Sequence, residues 1–506
     1  MASTHNLALA AEQSFERHGD YESLLFEGRW HRSGELLERA RRLAGGLRDV
    51  GVEPGDRVVV YAANRPDVQV AYNAIWRAGA VVTPAIFLLP TAELRHIIND
   101  AEARALITSP EFADTAREAA AGSCVITTEE LQELERAEPS EIVPRVDSDL
   151  AALMYTGGTT GRAKGVMLSH EGIWFAGKAG HDAGYVPHIN VSLTALPLSH
   201  AYGLLLTAVG LHTAEPHRSI LLRWFDPEAW LALAAEHRVQ IAAVVPSMIQ
   251  LLVAQPLEEY DLSALRFVAS GAAPLAPELA AELERRLPAV EIREGYGLTE
   301  TSALVSTNPP GRGRRGSVGL PVPGTEVAVL DDRDEELPPG EIGEICCRSR
   351  SVMLGYWREP DLTAETMRAG WLHTGDMGYR DAEGYLYVVD RKKDLIIRGG
   401  FNVFPRDVEE ALLEHPAVAA AAVVGRPDDA HGEEVVAFVA LTHGLDPADV
   451  IGWARERIGG YKYPREVHVL PALPLTPVGK VDRKALRRRL GDLAATSIRA
   501  TDRTEA

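Results

Sequence analysis

The chain has 506 residues, which is too many for one ordinary domain and enough to bury more than one core. Hydrophobic residues form 46% of it and charged residues 25%, the composition of a soluble globular protein. The net charge of −20 argues against broad nucleic-acid binding, which requires a basic surface.

Helix and strand patterns alternate along the first part of the chain. Apolar residues recur at helical spacing in residues 33–50, 68–78 and 91–101. Short runs rich in valine, isoleucine or alanine predict buried strands at residues 56–61, 80–84 and 105–108. The alternation returns over residues 193–294, and it predicts an α/β fold with largely parallel sheets.

The later part of the chain has a different pattern. Residues 326–330 and 341–347 read as short strands with Gly/Pro turns, which predicts a small antiparallel or barrel-like section. A charged run at residues 390–394 reads as a domain boundary. A segment of about a hundred residues follows, with its own helix at 406–414 and strand at 418–424.

Cysteine content and the N-terminus predict the cellular location. Cys124, Cys346 and Cys347 provide neither a disulfide framework nor metal-binding spacing, and the adjacent pair reads as core packing. Residues 1–14 lack a basic segment followed by an apolar one, so no signal peptide is predicted. No apolar run approaches the length that spans a bilayer, and a cytoplasmic location is expected.

The run Tyr-Thr-Gly-Gly-Thr-Thr-Gly-Arg-Ala-Lys-Gly at residues 155–165 is suited to wrapping a polyphosphate. Glycines let backbone N–H groups approach phosphate oxygens, threonines donate hydroxyl hydrogens, and Lys164 supplies positive charge. The run is not a Walker A loop, because Gly165 rather than serine or threonine follows the lysine. A flexible surface loop is the alternative.

A second candidate constellation lies at residues 293–300. Tyr296 offers a ring to stack on a purine, Thr299 a hydroxyl for a phosphate, and Glu300 an oxygen ligand for Mg²⁺. Just upstream, the small residues at 270–274 leave room for a flat base against the backbone. An ordinary tight turn explains either segment equally well when it is taken alone.

Two further residues are candidates on local grounds. Asp376, at the end of residues 370–376, is predicted to be exposed by a turn, where it can accept hydrogen bonds from ribose hydroxyls with help from Arg391. Lys480 lies on a Pro/Gly loop near the C-terminus. The alternatives are a solvated turn aspartate and a solvated surface lysine.

Taken together and in this order, five segments resemble those of the acyl-adenylate-forming superfamily: acyl- and aryl-CoA synthetases, nonribosomal peptide adenylation domains and firefly luciferase. The resemblance covers residues 33–486. The segments that carry it are residues 155–165, 296–300, 374–376, 390–405 and 474–480.

The resemblance implies roles for individual residues. The loop that closes over the ATP phosphates matches Thr156, Gly157, Gly158, Thr159, Thr160, Gly161 and Lys164. The adenine pocket matches Gly271, Ala272, Ala273, Glu294, Gly295, Tyr296 and Gly297. The remaining matches are Thr299 for the α-phosphate, Glu300 for Mg²⁺, Asp376 with Arg391 for the ribose, and Lys480 for bridging the carboxylate and the α-phosphate.

The resemblance also implies a domain arrangement. It predicts a large N-terminal AMP-binding domain over residues 1–391, a hinge at 392–393 centred on Lys393, and a small mobile α+β domain over 394–506. Gly399, Gly400 and Phe401 match the loop that lines the thiol tunnel in a second reaction step. Two departures stand out: Gly158 replaces the usual serine and Ala163 the usual proline, so a less constrained loop is expected.

The resemblance implies an ATP-dependent ligase that forms an acyl-AMP and then a thioester with CoA. His200, Tyr202 and Gly203 match the border of the acid pocket, although His200 also reads as a core histidine. No aspartate lies between Leu193 and Leu206 to pair with an α-ammonium group, which disfavours an amino acid substrate. The apolar segments 203–209 and 244–252 favour a fatty or aromatic acid.

Alternatives concern the acceptor and the class of protein. A stand-alone adenylation enzyme would load the acyl group onto a carrier protein, and a non-enzymatic ATP sensor would only bind the nucleotide. The joint presence of Lys480, Glu300 and Lys393 argues against the sensor. The expected partners are therefore a small carboxylic acid and CoA or a carrier protein, and a homodimer is left open.

Overall fold

The computed structural model describes residues 5–120, 122, 124–156, 163–428, 430–476 and 481–491. The chain divides into two compact units. The first unit comprises Met1–Ala328, Cys346–Thr374 and Arg380–Tyr387. The second unit comprises Val329–Ile345, Gly375–Tyr379 and Val388–Ala506.

The helices begin where local sequence favours it. Asn6, Asp226 and Asp446 accept hydrogen bonds from backbone N–H groups of the first turn, and proline opens several other helices. The helices are α1 (Leu7–His18), α2 (Ser33–Asp49), α3 (Pro66–Arg77), α4 (Thr91–Asp100), α5 (Ala113–Ala120), α6 (Leu131–Leu134), α7 (His170–Gly184), α8 (Ala201–Gly210), α9 (Pro227–Glu236), α10 (Pro246–Val253), α11 (Pro277–Arg286), α12 (Pro360–Thr366), α13 (Pro405–Leu413) and α14 (Pro447–Arg457).

The strands are short, as expected of buried α/β sheets. In chain order they are β1 (Glu22–Phe26), β2 (Arg29–Arg32), β3 (Arg57–Tyr61), β4 (Val81–Ala85), β5 (Ala105–Thr108), β6 (Cys124–Thr127), β7 (Leu150–Thr156), β8 (Lys164–Ser169), β9 (Val191–Thr194), β10 (Arg218–Leu221), β11 (Ile241–Val244), β12 (Phe267–Ser270), β13 (Glu291–Tyr296), β14 (Ser306–Thr307), β15 (Leu320–Pro321), β16 (Glu326–Leu330), β17 (Gly343–Arg348), β18 (Gly355–Tyr356), β19 (Leu372–Arg380), β20 (Leu386–Arg391), β21 (Ile396–Arg398), β22 (Phe401–Val403), β23 (Val418–Asp428), β24 (Gly432–Leu441) and β25 (Glu466–Val469).

Two sheets dominate the first unit. The seven-stranded sheet has the order β18-β8-β7-β4-β3-β5-β6, and the nine-stranded sheet has the order β15-β14-β13-β12-β11-β9-β10-β1-β2. Pairing is parallel from β7 through β6 and from β13 through β1, and antiparallel strands add to the ends. The predicted α/β fold with largely parallel sheets is confirmed.

The helices and strands predicted in the first part lie within two residues of α2, α3, α4, β3, β4 and β5. The strand predicted at 326–330 is β16, within a four-stranded sheet of order β16-β17-β19-β20. In the second unit, the predicted helix and strand correspond to α13 and β23. The strand β23 extends to Asp428 because it pairs with β24 along its whole length.

A buried side chain ties α3 to the seven-stranded sheet. Trp76 on α3 is 2% exposed, and its indole N–H donates to the Ala151 carbonyl at 3.0 Å. Cys346 and Cys347 are both buried within β17, so their predicted role in the core is confirmed. No helix among the described residues combines the length and apolarity that crossing a membrane requires.

His170 makes the stability of the first unit sensitive to acid. The ring is fully buried at the start of α7, and its Nδ1 accepts the Leu7 N–H at 3.2 Å. Burial, helped by the positive charge of Arg145 and opposed by Asp149 and Asp147, lowers the pKa of His170 from 6.5 to about 4.

We expect the folded protein to lose stability as the pH falls from about 6.5 to 4. The unfolded chain protonates His170 in this window while the folded chain does not, so protonation favours unfolding by up to about 3 kcal/mol at pH 4. His170→Gln should flatten this decline in urea unfolding between pH 7 and pH 4. His188→Gln, at an exposed histidine, should leave it unchanged, and an identical decline in both variants would contradict the assignment.

Candidate active site

The carboxyl ends of two adjacent strands bring candidate residues together. In the parallel pair β12 and β13, Ser270 lies opposite Glu294, so Gly271 follows one strand beside the end of the other. A Cβ added to Gly271 would lie 3.6 Å from the Gly295 carbonyl oxygen and 3.3 Å from Cε1 of Tyr202. Residues predicted for the adenine and acid pockets therefore share one location.

Backbone strain marks this location. Ala272 has a φ of +67°, a left-handed conformation that residues other than glycine seldom adopt. Such conformations cost about 1–3 kcal/mol and persist where the surrounding structure holds them, frequently at functional sites. The Tyr202 hydroxyl donates to the Ala269 carbonyl at 3.3 Å, and burial raises the pKa of this phenol. Tyr202 therefore stays protonated and fixed against β12.

The segment that precedes α8 is held by the loop after β3 and by α3. The Asn64 side chain, 2% exposed, donates to the Leu196 carbonyl at 2.9 Å and accepts the Leu198 N–H at 2.8 Å. The Tyr72 hydroxyl donates to the Leu198 carbonyl at 3.1 Å. These buried bonds fix the backbone immediately before His200.

His200 caps α8. Its Nδ1 accepts the Tyr202 N–H at 3.2 Å, so the neutral ring carries its proton on Nε2. The Nε2–H group is a donor suited to a carboxylate oxygen. His200 lies at the start of α8, beside Tyr202, and its place at the border of an acid pocket stays a prediction.

Gly203 is required by close packing. A Cβ on Gly203 would lie 2.2 Å from the Pro197 carbonyl oxygen and 2.6 Å from Cα of Leu198, distances that no side chain tolerates. Glycine at position 203 therefore lets α8 pack directly against Pro197 and Leu198, in the segment that Asn64 holds.

Gly203→Ala is expected to destabilise the first unit by about 1–3 kcal/mol, because backbone must move to accept the methyl group. Gly210→Ala, at the other end of the same helix, meets no atom within 4 Å and should be neutral or slightly stabilising. The measurement is the urea concentration at the midpoint of unfolding for each of the two variants. Equal midpoints would show that the close approach does not constrain Gly203.

Glu300 lies on a compact loop after β13. Thr299–Thr301 form a short helical turn, and Ser302 and Ala303 both have positive φ values of 51° and 72°. A Cβ on Gly297 would lie 2.2 Å from the Ala303 carbonyl oxygen, so the loop closes on itself only with glycine there. This geometry fixes the direction in which Glu300 leaves the backbone.

Tyr356 holds the Glu300 carboxylate. Its hydroxyl donates to Oε1 of Glu300 at 2.9 Å, and burial together with the Glu300 charge raises the pKa of the phenol. Tyr356 lies on β18, which pairs with β8, and the ammonium of Lys164 is 6.0 Å from the centre of its ring. Glu300 and Lys164, predicted to bind metal and phosphate, are thus linked through one aromatic side chain.

The predicted phosphate loop begins and ends on paired strands. Thr156 at the end of β7 lies opposite Lys164 at the start of β8 in the antiparallel pair. Of the residues predicted to bind phosphate or the substrate carboxylate, the following lie outside the described residues: Gly157, Gly158, Thr159, Thr160, Gly161 and Lys480.

In the second unit, Asp376 and Arg391 form an ion pair, with Nε of Arg391 3.2 Å from Oδ1 of Asp376. The prediction that a turn exposes Asp376 was wrong. Asp376 lies inside β19 and is 5% exposed, because the strand continues past Gly375 despite its φ of +71°. A strand therefore holds the Asp376 carboxylate, and the guanidinium group of Arg391 lies beside it.

The predicted hinge and thiol loop also lie in the second unit. Lys393 belongs to the short helical turn Lys392–Asp394 after β20. Gly399 and Gly400, with φ values of 57° and 82°, join β21 to β22 as a two-residue hairpin turn that requires positive φ at both positions. Phe401 follows with 58% of its surface exposed.

Comparisons with known proteins decide the family. The model described as "AMP-binding enzyme" matches residues 11–357, and that described as "AMP-binding enzyme C-terminal domain" matches residues 407–480. The chain belongs to the AMP-binding enzyme family.

Curated relatives of this AMP-binding enzyme include a feruloyl-CoA synthase from Amycolatopsis sp, 39% identical over 90% of this chain and 93% of the relative. A long-chain-fatty-acid–CoA ligase from Escherichia coli is 35% identical over 94% of this chain and 93% of the relative. Among solved structures, ATP-bound MatB from Rhodopseudomonas palustris has a TM-score of 0.89 at 32% identity, covering 97% of this chain and all of that one.

Sequence reasoning missed two residues of the AMP-binding enzyme that support the site. Tyr356 is 56 residues from Glu300 in the chain, and only the pairing of β18 with β8 brings it close. Asn64 is more than 130 residues from the segment that it holds. An asparagine after a strand and a tyrosine after a glycine carry no local signal that distinguishes these roles.

Proposed function

We propose that this AMP-binding enzyme is an ATP-dependent carboxylic acid–CoA ligase that adenylates a fatty or aromatic acid and transfers the acyl group to CoA. The observation that carries the proposal is the contact chain Lys164–Tyr356–Glu300, formed where the predicted phosphate loop ends. The relatives named as CoA ligases, for ferulate and for long-chain fatty acids, support the same reaction.

In the first step, a carboxylate oxygen of the acid attacks the α-phosphorus of ATP, and the bond from that phosphorus to the β-phosphate oxygen breaks. Pyrophosphate leaves, and the acid is now an acyl-AMP. Lys164, and Lys480 by resemblance, stabilise the charge on the phosphate oxygens, and Thr299 positions the α-phosphate. The Nε2–H of His200 orients the carboxylate.

The residues present fit a magnesium ion. Glu300 is a carboxylate held at one oxygen by Tyr356, and its second oxygen carries lone pairs that suit a hard divalent cation. Bound Mg²⁺ would neutralise charge that builds up on the phosphates. Tyr356 orients this ligand through its hydroxyl, the arrangement that metal-binding carboxylates commonly have.

In the second step, the sulfur of CoA attacks the acyl carbon, the bond to the AMP oxygen breaks, and the thiol proton passes to solvent. AMP leaves with that oxygen. We propose that Lys393 acts as a hinge, so that the loop carrying Gly400 replaces Lys480 between the steps. Residues 1–391 and 394–506 are the two domains of this proposal.

The acid pocket is proposed to be apolar. From Leu193 to Leu211 the chain has no aspartate, glutamate, lysine or arginine, and α8 within it supplies Leu204 and Leu205. An uncharged wall favours an acyl chain or an aromatic ring over a charged substrate.

Release of pyrophosphate from ATP and Mg²⁺ tests the proposal, with fatty, cinnamic and benzoic acids assayed with and without CoA. We expect release that depends on one class of acid and rises strongly with CoA. Pyrophosphate release that CoA does not stimulate would indicate that a carrier protein, rather than CoA, accepts the acyl group. Absence of release with every acid class would contradict the proposal.

A further inference from the structure

A cavity lined by three arginines lies on the first unit, at the amino ends of the strands of the nine-stranded sheet. It has a volume of about 520 Å³. We call it the arginine pocket, and its lining residues are Ile189, Val191, Arg218, Glu236, His237, Arg238, Gln240, Ala264 and Arg266.

The sheet places four of these residues side by side. Arg218 begins β10 and lies opposite Val191 in the parallel pair with β9. The Arg266 N–H donates to the Gln240 carbonyl at 2.9 Å, just before β12 and β11 begin. The residues of the candidate active site follow the other ends of these strands. Four-residue strands separate the two edges by about 10 Å, so the arginine pocket is a different site.

The arginines of the pocket differ in their carboxylate partners. Arg266 donates to the carbonyls of Ser263 at 2.6 Å and Leu265 at 3.1 Å, and no described carboxylate lies within 4 Å of it. Arg238 pairs with Asp261 at 3.3 Å, and both side chains are more than 60% exposed. Exposed pairs of this kind contribute only about 0–1 kcal/mol.

Arg218 has a preset orientation. Its guanidinium lies 4.2 Å from the centre of the Trp30 ring, and one terminal nitrogen contacts Glu22 at 3.1 Å. Its Nε–H is buried without an acceptor among the residues that the structure describes. Glu236 is the lining carboxylate of the pocket and is 71% exposed, while Glu22 and Asp261 contact Arg218 and Arg238.

The Nε–H of Arg218 is buried without a described acceptor, and Arg266 has no described carboxylate within 4 Å, so both side chains offer donors to an anion. We propose that the arginine pocket binds a phosphoryl anion, with Arg218, Arg238 and Arg266 as its ligands. Guanidinium groups match the tetrahedral oxygens of phosphate through paired N–H donors.

The cavity also admits more than a free anion. Its volume falls within the range of small-molecule sites, about 300–1,000 Å³, and Ile189, Val191 and Ala264 give it an apolar wall. Inorganic phosphate and an organic phosphomonoester both carry the phosphoryl group that the arginines recognise. Only the phosphomonoester has an organic group that can pack against the apolar wall.

Thermal unfolding of the full-length protein in increasing phosphate, with ionic strength held constant by chloride, tests the proposal. Phosphate should raise the unfolding temperature, and Arg266→Gln should raise the phosphate concentration at half-effect by about tenfold or more, because a charge-assisted contact is lost. Arg238→Gln provides a second pocket variant. Arg285→Gln, at an exposed arginine on α11, is the matched control and should behave as wild type.

Repeating the titration with phenyl phosphate distinguishes free phosphate from an organic phosphomonoester as the ligand. Tighter binding of phenyl phosphate supports an organic phosphomonoester, and equal binding supports free phosphate. A phosphate dependence that is identical in wild type, Arg266→Gln and Arg238→Gln would overturn the proposal, as would the absence of any rise with either anion. Unchanged unfolding temperatures of the variants in chloride alone establish that they are folded.

Discussion

Lys480→Ala is expected to lower the rate of acyl-AMP formation by about 10²–10³-fold, while thioester formation from supplied acyl-AMP stays near the wild-type rate. The reason is that charge develops on the α-phosphate oxygens only in the first step, where one preorganised donor has an effect of this size. Measuring pyrophosphate release and acyl-CoA formation separately gives the two rates.

The control for this variant is Lys484→Ala, which removes an exposed lysine four residues along the chain. It should leave both rates unchanged. Equal losses of both half-reactions in Lys480→Ala would show that the lysine does not act specifically in adenylation, and the role implied by the resemblance would then be wrong.

Glu300→Gln is expected to lower the adenylation rate by about 10²–10³-fold and to raise the Mg²⁺ concentration that gives half the maximal rate. The neutral amide retains an oxygen but loses the charge that a divalent cation requires. The measurement is a titration of the adenylation rate against Mg²⁺ at saturating ATP. An unchanged Mg²⁺ requirement would contradict Glu300 as a ligand.

Tyr356→Phe tests the same site with a milder change than Glu300→Gln. It removes the hydroxyl that holds Oε1 of Glu300, a bond to a charged group that contributes about 1.5–3 kcal/mol. We expect a smaller loss of rate than for Glu300→Gln and a shift in the same direction of the Mg²⁺ requirement. Tyr185→Phe, at an exposed tyrosine after α7, should change neither quantity.

Sequence patterns predicted the elements that depend on local periodicity. The helix α2 follows from apolar residues at helical spacing, and the strands β3 and β5 follow from short, continuously apolar runs. The association of Gly271 with Gly295 was implied by the resemblance, and the parallel pairing of β12 with β13 places both residues at one edge of the sheet.

Other features depend on pairing that local sequence does not determine. Asp376 was expected in an exposed turn at the end of residues 370–376, but the pairing of β19 within its sheet keeps the strand intact and buries the carboxylate. The bond from Tyr356 to Glu300 similarly depends on β18 joining the edge of the seven-stranded sheet. The arginine pocket arises from three strand starts that are distant in sequence.

The central claim is that a carboxylate oxygen of the acid becomes bonded to the α-phosphorus of ATP. Labelling both carboxylate oxygens of the accepted acid with ¹⁸O, and analysing the nucleotide product by mass spectrometry after turnover with CoA, tests it most directly. The mechanism predicts AMP that carries one ¹⁸O atom and pyrophosphate that carries none. Unlabelled AMP, or label in a phosphate released together with ADP, would contradict it.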